Sequence, residues 1–143
     1  MSQTRAAVPP EMRERLPATL EAAEAVCLRA RGRLASYLAP RTLFAVELVL
    51  REALANAVLH GCAGRPEHIV VCEVLPAEDR VTLLVEHDGP GFDWRRALAR
   101  PGSPRALSGR GLEIIQQYSS QLTFDDSGRQ MTITCLLQQG GSD

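Results

Sequence analysis

Glu52, Asn56 and His60 stand four residues apart in the run RTLFAVELVLREALANAVLHG, so a helix stacks them along one face. The run is otherwise almost wholly apolar, and a polar stripe inside a buried helix needs partners. One reading is structural, a stripe whose groups bond one another or the backbone. The other is chemical. The amide oxygen of Asn56 is a hard donor suited to Mg²⁺, and Glu52, one turn away, can orient or deprotonate an attacking hydroxyl. A second segment, Asp88-Gly89-Pro90-Gly91-Phe92, follows a β-branched run. Its glycines let the backbone turn sharply and approach a ligand, and its acid can accept hydrogen bonds from an exocyclic amine; a plain turn explains the same string. The third, Gly109-Arg110-Gly111, opens a short helix whose free N–H groups and positive dipole end make a phosphate seat. Arginines 95, 96, 100, 105 and 110 precede or join it with no acid between them. Polyphosphate would neutralise that excess, and a solvated basic loop accounts for it equally.

These segments need elements to hold them. Leu16, Leu20, Ala23, Val26, Cys27, Ala30, Leu34, Tyr37 and Leu38 recur at helical spacing and predict a long amphipathic helix ending before Pro40. The apolar second helix follows and stops at Gly61. EHIVVCEVL and RVTLLVEH predict an antiparallel hairpin, GLEIIQQYSSQ a short helix, and QLTFDD and QMTITCLLQ two more strands turned by Asp126, Ser127 and Gly128. Residues 93–109 hold prolines and arginines without periodicity and read as a lid. The order α, α, β, β, loop, α, β, β implies an α+β sandwich, a mixed or antiparallel sheet with helices on one face.

Composition narrows the classes. A chain of 143 residues is the size of one domain, and 45% apolar with 23% charged residues is the balance of a soluble globular protein. A net charge of -1 argues against a general nucleic-acid or membrane-surface binder. All 16 cationic side chains are arginine, which removes mechanisms that need a lysine, such as a P-loop. No run is long enough to span a membrane, the start lacks a secretion signal, and the 4 cysteines are scattered, so a reducing, cytoplasmic setting with free thiols is expected.

Taken in this order, ELVLREALANAVLHG, EHDGPGF and GRGLEII resemble the N box and the two glycine boxes of the GHKL ATPase superfamily, over residues 47–115. The resemblance implies a single domain over residues 1–143 with the Bergerat ATP-binding fold, a two-layer α/β sandwich. It implies ATP and Mg²⁺ as cofactors, with Asn56 on the metal and Glu52 as general base. Asp88 would take the adenine amine, and Gly89, Gly91 and Phe92 would shape its pocket. Gly109, Arg110, Gly111 and Leu112 would wrap the phosphates together with Arg105 of the lid, and His60 would lie at the ribose or phosphate rim.

The small size and the pattern EALANAVLH with GRGLEII look most like the anti-sigma-factor serine/threonine kinases. Such proteins bind a sigma factor, or instead bind and phosphorylate a small STAS-type antagonist, and are commonly homodimers; neither nucleic acid nor a membrane is a direct partner. The sequence departs from that branch at the last hairpin. Met131 stands where a threonine hydroxyl is expected to support the nucleotide, with Thr132 next to it on the opposite strand face. Thr132 joins the site if the register shifts by one. The alternatives are a nucleotide-binding anti-sigma module without significant kinase activity, and a detached histidine-kinase-type ATPase domain.

Overall fold

Met12, Glu14 and Leu16 alternate with Arg13 and Arg15, the period of a half-buried strand. In the computed structural model, which describes residues 7–91 and 109–137, this segment is strand β1 (Met12–Pro17). Its inward glutamate is accommodated because Arg29 of the following helix forks onto Glu14 at 2.8 and 3.0 Å. The helix predicted from Leu16 therefore begins later. Helix α1 (Leu20–Leu34) starts after Thr19, whose hydroxyl accepts the Ala22 N–H at 3.1 Å. Thr19→Ala removes that cap and is expected to lower stability by about 1 kcal/mol. A denaturant titration checks this, and an unchanged midpoint would show that the cap contributes nothing.

Helix α2 (Pro40–Asn56) opens on a proline, whose missing N–H costs nothing at a helix start. It runs into a single π-helical turn (Ala57–Gly61). Strands β2 (Ile69–Pro76) and β3 (Arg80–His87) form the expected hairpin, and helix α3 (Gly109–Tyr118) precedes the second hairpin, β4 (Gln121–Phe124) and β5 (Gln130–Leu136). The sheet order is β1-β2-β3-β5-β4. Every pairing among the described residues is antiparallel, one of the two forms expected.

One face of each strand supplies the core. Val70, Cys72 and Val74 of β2, Val81, Leu83 and Val85 of β3, and Met131, Ile133 and Cys135 of β5 are buried at alternate positions, beneath a single layer of helices. α1 packs on β1, α2 packs on β3 between α1 and α3, and α3 reaches β4. That makes a two-layer α/β sandwich. The central place of α2 explains its apolar sequence: Val46, Val49, Leu50, Ala53 and Leu54 are each no more than 1% exposed. Ion pairs lie on the flank of the helix layer, where Arg51 joins Glu24 at 2.9 Å and Glu47 at 3.1 Å.

All four cysteines are free and buried. Burial pushes the thiols of Cys27 and Cys135 up to about 11 and that of Cys72 up to about 12, and it raises Cys62 as well. Among the described residues no helix is long and apolar enough to cross a membrane.

Candidate functional site

The stripe on α2 is built as its spacing implies for its first two members. Asn56 is 1% exposed, and its Nδ2 donates to the Glu52 carbonyl one turn back at 3.1 Å. This bond leaves the amide oxygen as the free end of the side chain. Asn56 Oδ1 is buried and has no hydrogen-bond partner among the described residues. A buried acceptor left alone costs roughly 1–3 kcal/mol, which a bound cation would offset. A neutral oxygen of this kind fits Mg²⁺. Glu52 is half-buried beside it on the same helix.

His60 leaves the line. The π turn is closed by the Cys62 N–H on the Ala57 carbonyl, an i→i+5 bond of 2.8 Å. Such a turn holds more residues than an α turn, so four residues no longer complete it. His60 is half-buried there, and burial lowers its pKa below the ordinary histidine value. The wider turn also presents the Gly61 carbonyl outward, where the Gly91 N–H donates to it at 3.0 Å. The end of the second helix and the glycine turn are thereby joined directly. Gly91 has φ +86, a conformation that favours glycine.

The glycine turn corrects the expectation for Asp88. Alternation along β3 turns Val81, Leu83, Val85 and then His87 toward the helices, so Asp88 falls on the other side. Its side chain is exposed, and its Oδ1 accepts the Ile69 N–H at 2.8 Å and lies 3.2 Å from His68 Nδ1. That amide bond, with His68 beside it, holds the carboxyl below the usual carboxylate range. The carboxylate is committed to the β2 backbone and does not face the helix layer. His87 is 6% exposed in its place, with Nδ1 accepting the Gly89 N–H and Nε2 against the Gly128 carbonyl, each at 3.2 Å. Burial lowers its pKa below the ordinary histidine value, and an Nδ1 that accepts an N–H carries no proton.

Thr132 is also set apart. It pairs with Leu84 and Thr123 on the outer face of the sheet, whereas Met131 pairs with Val85 and Phe124 and is buried beneath the helices. The register does not shift, and Met131 holds the inward position. The turn between β4 and β5 closes over the glycine turn. Arg129 Nε donates to the Gly89 carbonyl at 2.9 Å, and Asp125 Oδ1 accepts the Arg129 and Gln130 N–H groups at 3.0 and 3.1 Å. Gly109, Arg110 and Gly111 form the first turn of α3, the helix start that the sequence predicts there. Gly111 and Leu112 are buried, and the helix packs against α2. Phe92, Arg105 and the lid over residues 93–108 lie outside the described residues.

A protein-family model described as the histidine kinase-like ATPase domain matches residues 16–136. The chain belongs to that family. This ATPase domain is 30% identical over 81 residues to an anti-sigma F factor of Bacillus cytotoxicus, covering 54% of the chain and 56% of that relative. It is 31% identical over 88 residues to an anti-sigma F factor of Lysinibacillus sphaericus, covering 59% and 60%. The chain therefore spans less than two thirds of the length of these relatives. Among solved structures, the histidine kinase domain of the blue-light activated histidine kinase from Erythrobacter litoralis EL346 is 18% identical with a TM-score of 0.49, covering 85% of this chain and 61% of that one.

Sequence reasoning about this ATPase domain missed His87 and Arg129. The inward series Val81, Leu83, Val85 already pointed to His87, since a strand that buries every second residue buries the next one too. Arg129 carried no comparable signal, because its contact with Gly89 joins segments 40 residues apart.

Proposed function

We propose that this domain is an anti-sigma factor and an ATP-dependent serine/threonine kinase, which sequesters a sigma factor and phosphorylates a STAS-type antagonist to release itself. The observation that carries this is the buried Asn56 Oδ1, without a partner among the described residues, one helical turn from Glu52. A module that only binds partners has no need of a glutamate one helical turn from such a hard-oxygen donor. The names of the relatives support the sigma-factor half of the proposal.

In the proposed reaction the antagonist's serine oxygen forms a bond to the γ-phosphorus, the bond from that phosphorus to its bridging oxygen breaks, and ADP leaves. Glu52 accepts the serine proton as the bond forms. Asn56 Oδ1 would hold Mg²⁺, which neutralises phosphate charge in a transfer that depends mainly on positioning and electrostatics. The first-turn N–H groups of α3 would hold phosphate oxygens. The domain would act as a homodimer.

The test is incubation of the purified protein with Mg²⁺ and γ-labelled ATP beside candidate antagonists, with Asn56→Ala as control. Label on a partner serine that disappears in the control is expected. One observation favours a second reading, a nucleotide-binding anti-sigma module without phosphotransfer: the thioether of Met131, and no hydroxyl, faces the helix layer from β5. Nucleotide binding without transferred label would establish that reading instead.

A further inference from the structure

The glycine turn is the place where the resemblance to the GHKL ATPases seats the nucleotide base, and the inference drawn from His87 rests on the kinase proposal. His87 fills the turn. The ring lies so close to Gly61 that a Cβ added there would come within 2.3 Å of Nε2. The space left beside it, bounded by Ala57, Val85, Phe124 and Met131, is about 10 Å³. A cavity of roughly 10–15 Å³ holds one water at most. A purine does not enter it.

The ring also has nothing left to offer a base. The Gly128 carbonyl can only accept, so Nε2 carries the proton and donates to it; Nδ1 is then the acceptor, and the Gly89 N–H occupies it. An adenine amine finds no acceptor on this side chain, and a guanine carbonyl finds no free donor. The carboxylate that would accept an amine, Asp88, is on the far side of the strand and bonded to Ile69. Met131 adds a thioether, which is only a weak acceptor.

We infer that this domain does not read the base of its nucleotide: His87 closes the base seat, and nucleoside triphosphates are held through their phosphates and metal with little distinction between adenine and guanine. Its substrate class is thus nucleoside triphosphates generally. Specificity against a wrong ligand comes chiefly from buried polar groups that it leaves unpaired, and both ring nitrogens of His87 are already paired with the backbone.

Equilibrium binding of Mg²⁺-ATP and Mg²⁺-GTP to the full chain, to His87→Asp and to His87→Asn tests this, with circular dichroism and thermal melting to establish that each variant folds. The wild-type chain is expected to bind the two nucleotides within about tenfold of each other. His87→Asp supplies an inward carboxylate and is expected to tighten ATP by about tenfold or more relative to GTP, the scale of one hydrogen bond to a charged group. His87→Asn supplies an uncharged acceptor in a smaller side chain and should shift the ratio in the same direction by less, which keeps the test open if the aspartate variant does not fold. An ATP preference of about 100-fold or more in the wild-type chain overturns the inference and leaves the kinase proposal standing. Folded variants whose ATP-to-GTP ratio equals that of the wild type also overturn it. Failure of all three proteins to bind either nucleotide overturns the inference together with the kinase proposal.

Discussion

Glu52→Gln is expected to slow transfer of phosphate to the antagonist by ~10²-fold or more while leaving nucleotide affinity unchanged, the usual scale for loss of a general base. Glutamine matches glutamate in size and helix propensity, so α2 has no reason to deform. The Asn56 Nδ2 bond goes to the main-chain carbonyl of residue 52, which the substitution leaves in place. The expected loss therefore falls on the chemical step, because a neutral amide takes no proton from an incoming serine. Single-turnover transfer measured at saturating Mg²⁺-ATP isolates that step from binding. Wild-type rates in the variant would remove Glu52 from the mechanism. A loss of nucleotide affinity equal to the loss of rate would assign it to binding.

The largest effect on stability is expected from Gly89→Ala. A Cβ at residue 89 would lie 2.3 Å from the Gly61 carbonyl oxygen and 2.6 Å from Cys62 Cα. Both atoms belong to the backbone, so no flexible side chain can yield. The π turn and the glycine turn have to separate, and the Gly91 N–H bond to the same carbonyl is strained or lost with them. Overpacking of this kind costs about 3 kcal/mol. In a chain of this size that is a drop in melting temperature of roughly 6–12 °C. A calorimetric scan decides it, and an unchanged melting temperature would show that the two turns are not in contact in solution.

Much of the fold could be read because local pattern and tertiary role agree. The apolar run over residues 41–61 is a central helix, and the alternation of the four later strands matches two hairpins that each close locally. β1 escaped because Leu16 continues the helical spacing of α1 in one direction and the period-two pattern of Met12 and Glu14 in the other. Only the register Leu16 to Val70 decides between them. The π turn escaped because local spacing continues the helix through it, while the contact it makes, Gly61 with Gly91, spans 30 positions of sequence.

Around the candidate site, placement on a helix follows from local sequence alone. Asn56 and Glu52 need only helical spacing, and Gly111 with Leu112 need only the start of a helix. Asp88 was misplaced because its type suits the chemistry while its parity along β3 does not. A strand shifted by a single residue exchanges its faces, so residue type alone does not choose the inward side. For Thr132 and Met131 parity alone sufficed, and the register of β5 against β3 fixes it.

The four buried thiols have a consequence for how the molecule ages. Thiolate is the form that oxidants and alkylating agents attack, and every thiol here is held in its protonated form by the surrounding core. Oxidative damage must then pass through molecules that have opened, at a rate governed by the free energy of opening and not by the sulfurs themselves. A substitution that loosens the contact between Gly61 and Gly89 would make the chain chemically vulnerable as well as less stable, although no cysteine had been touched.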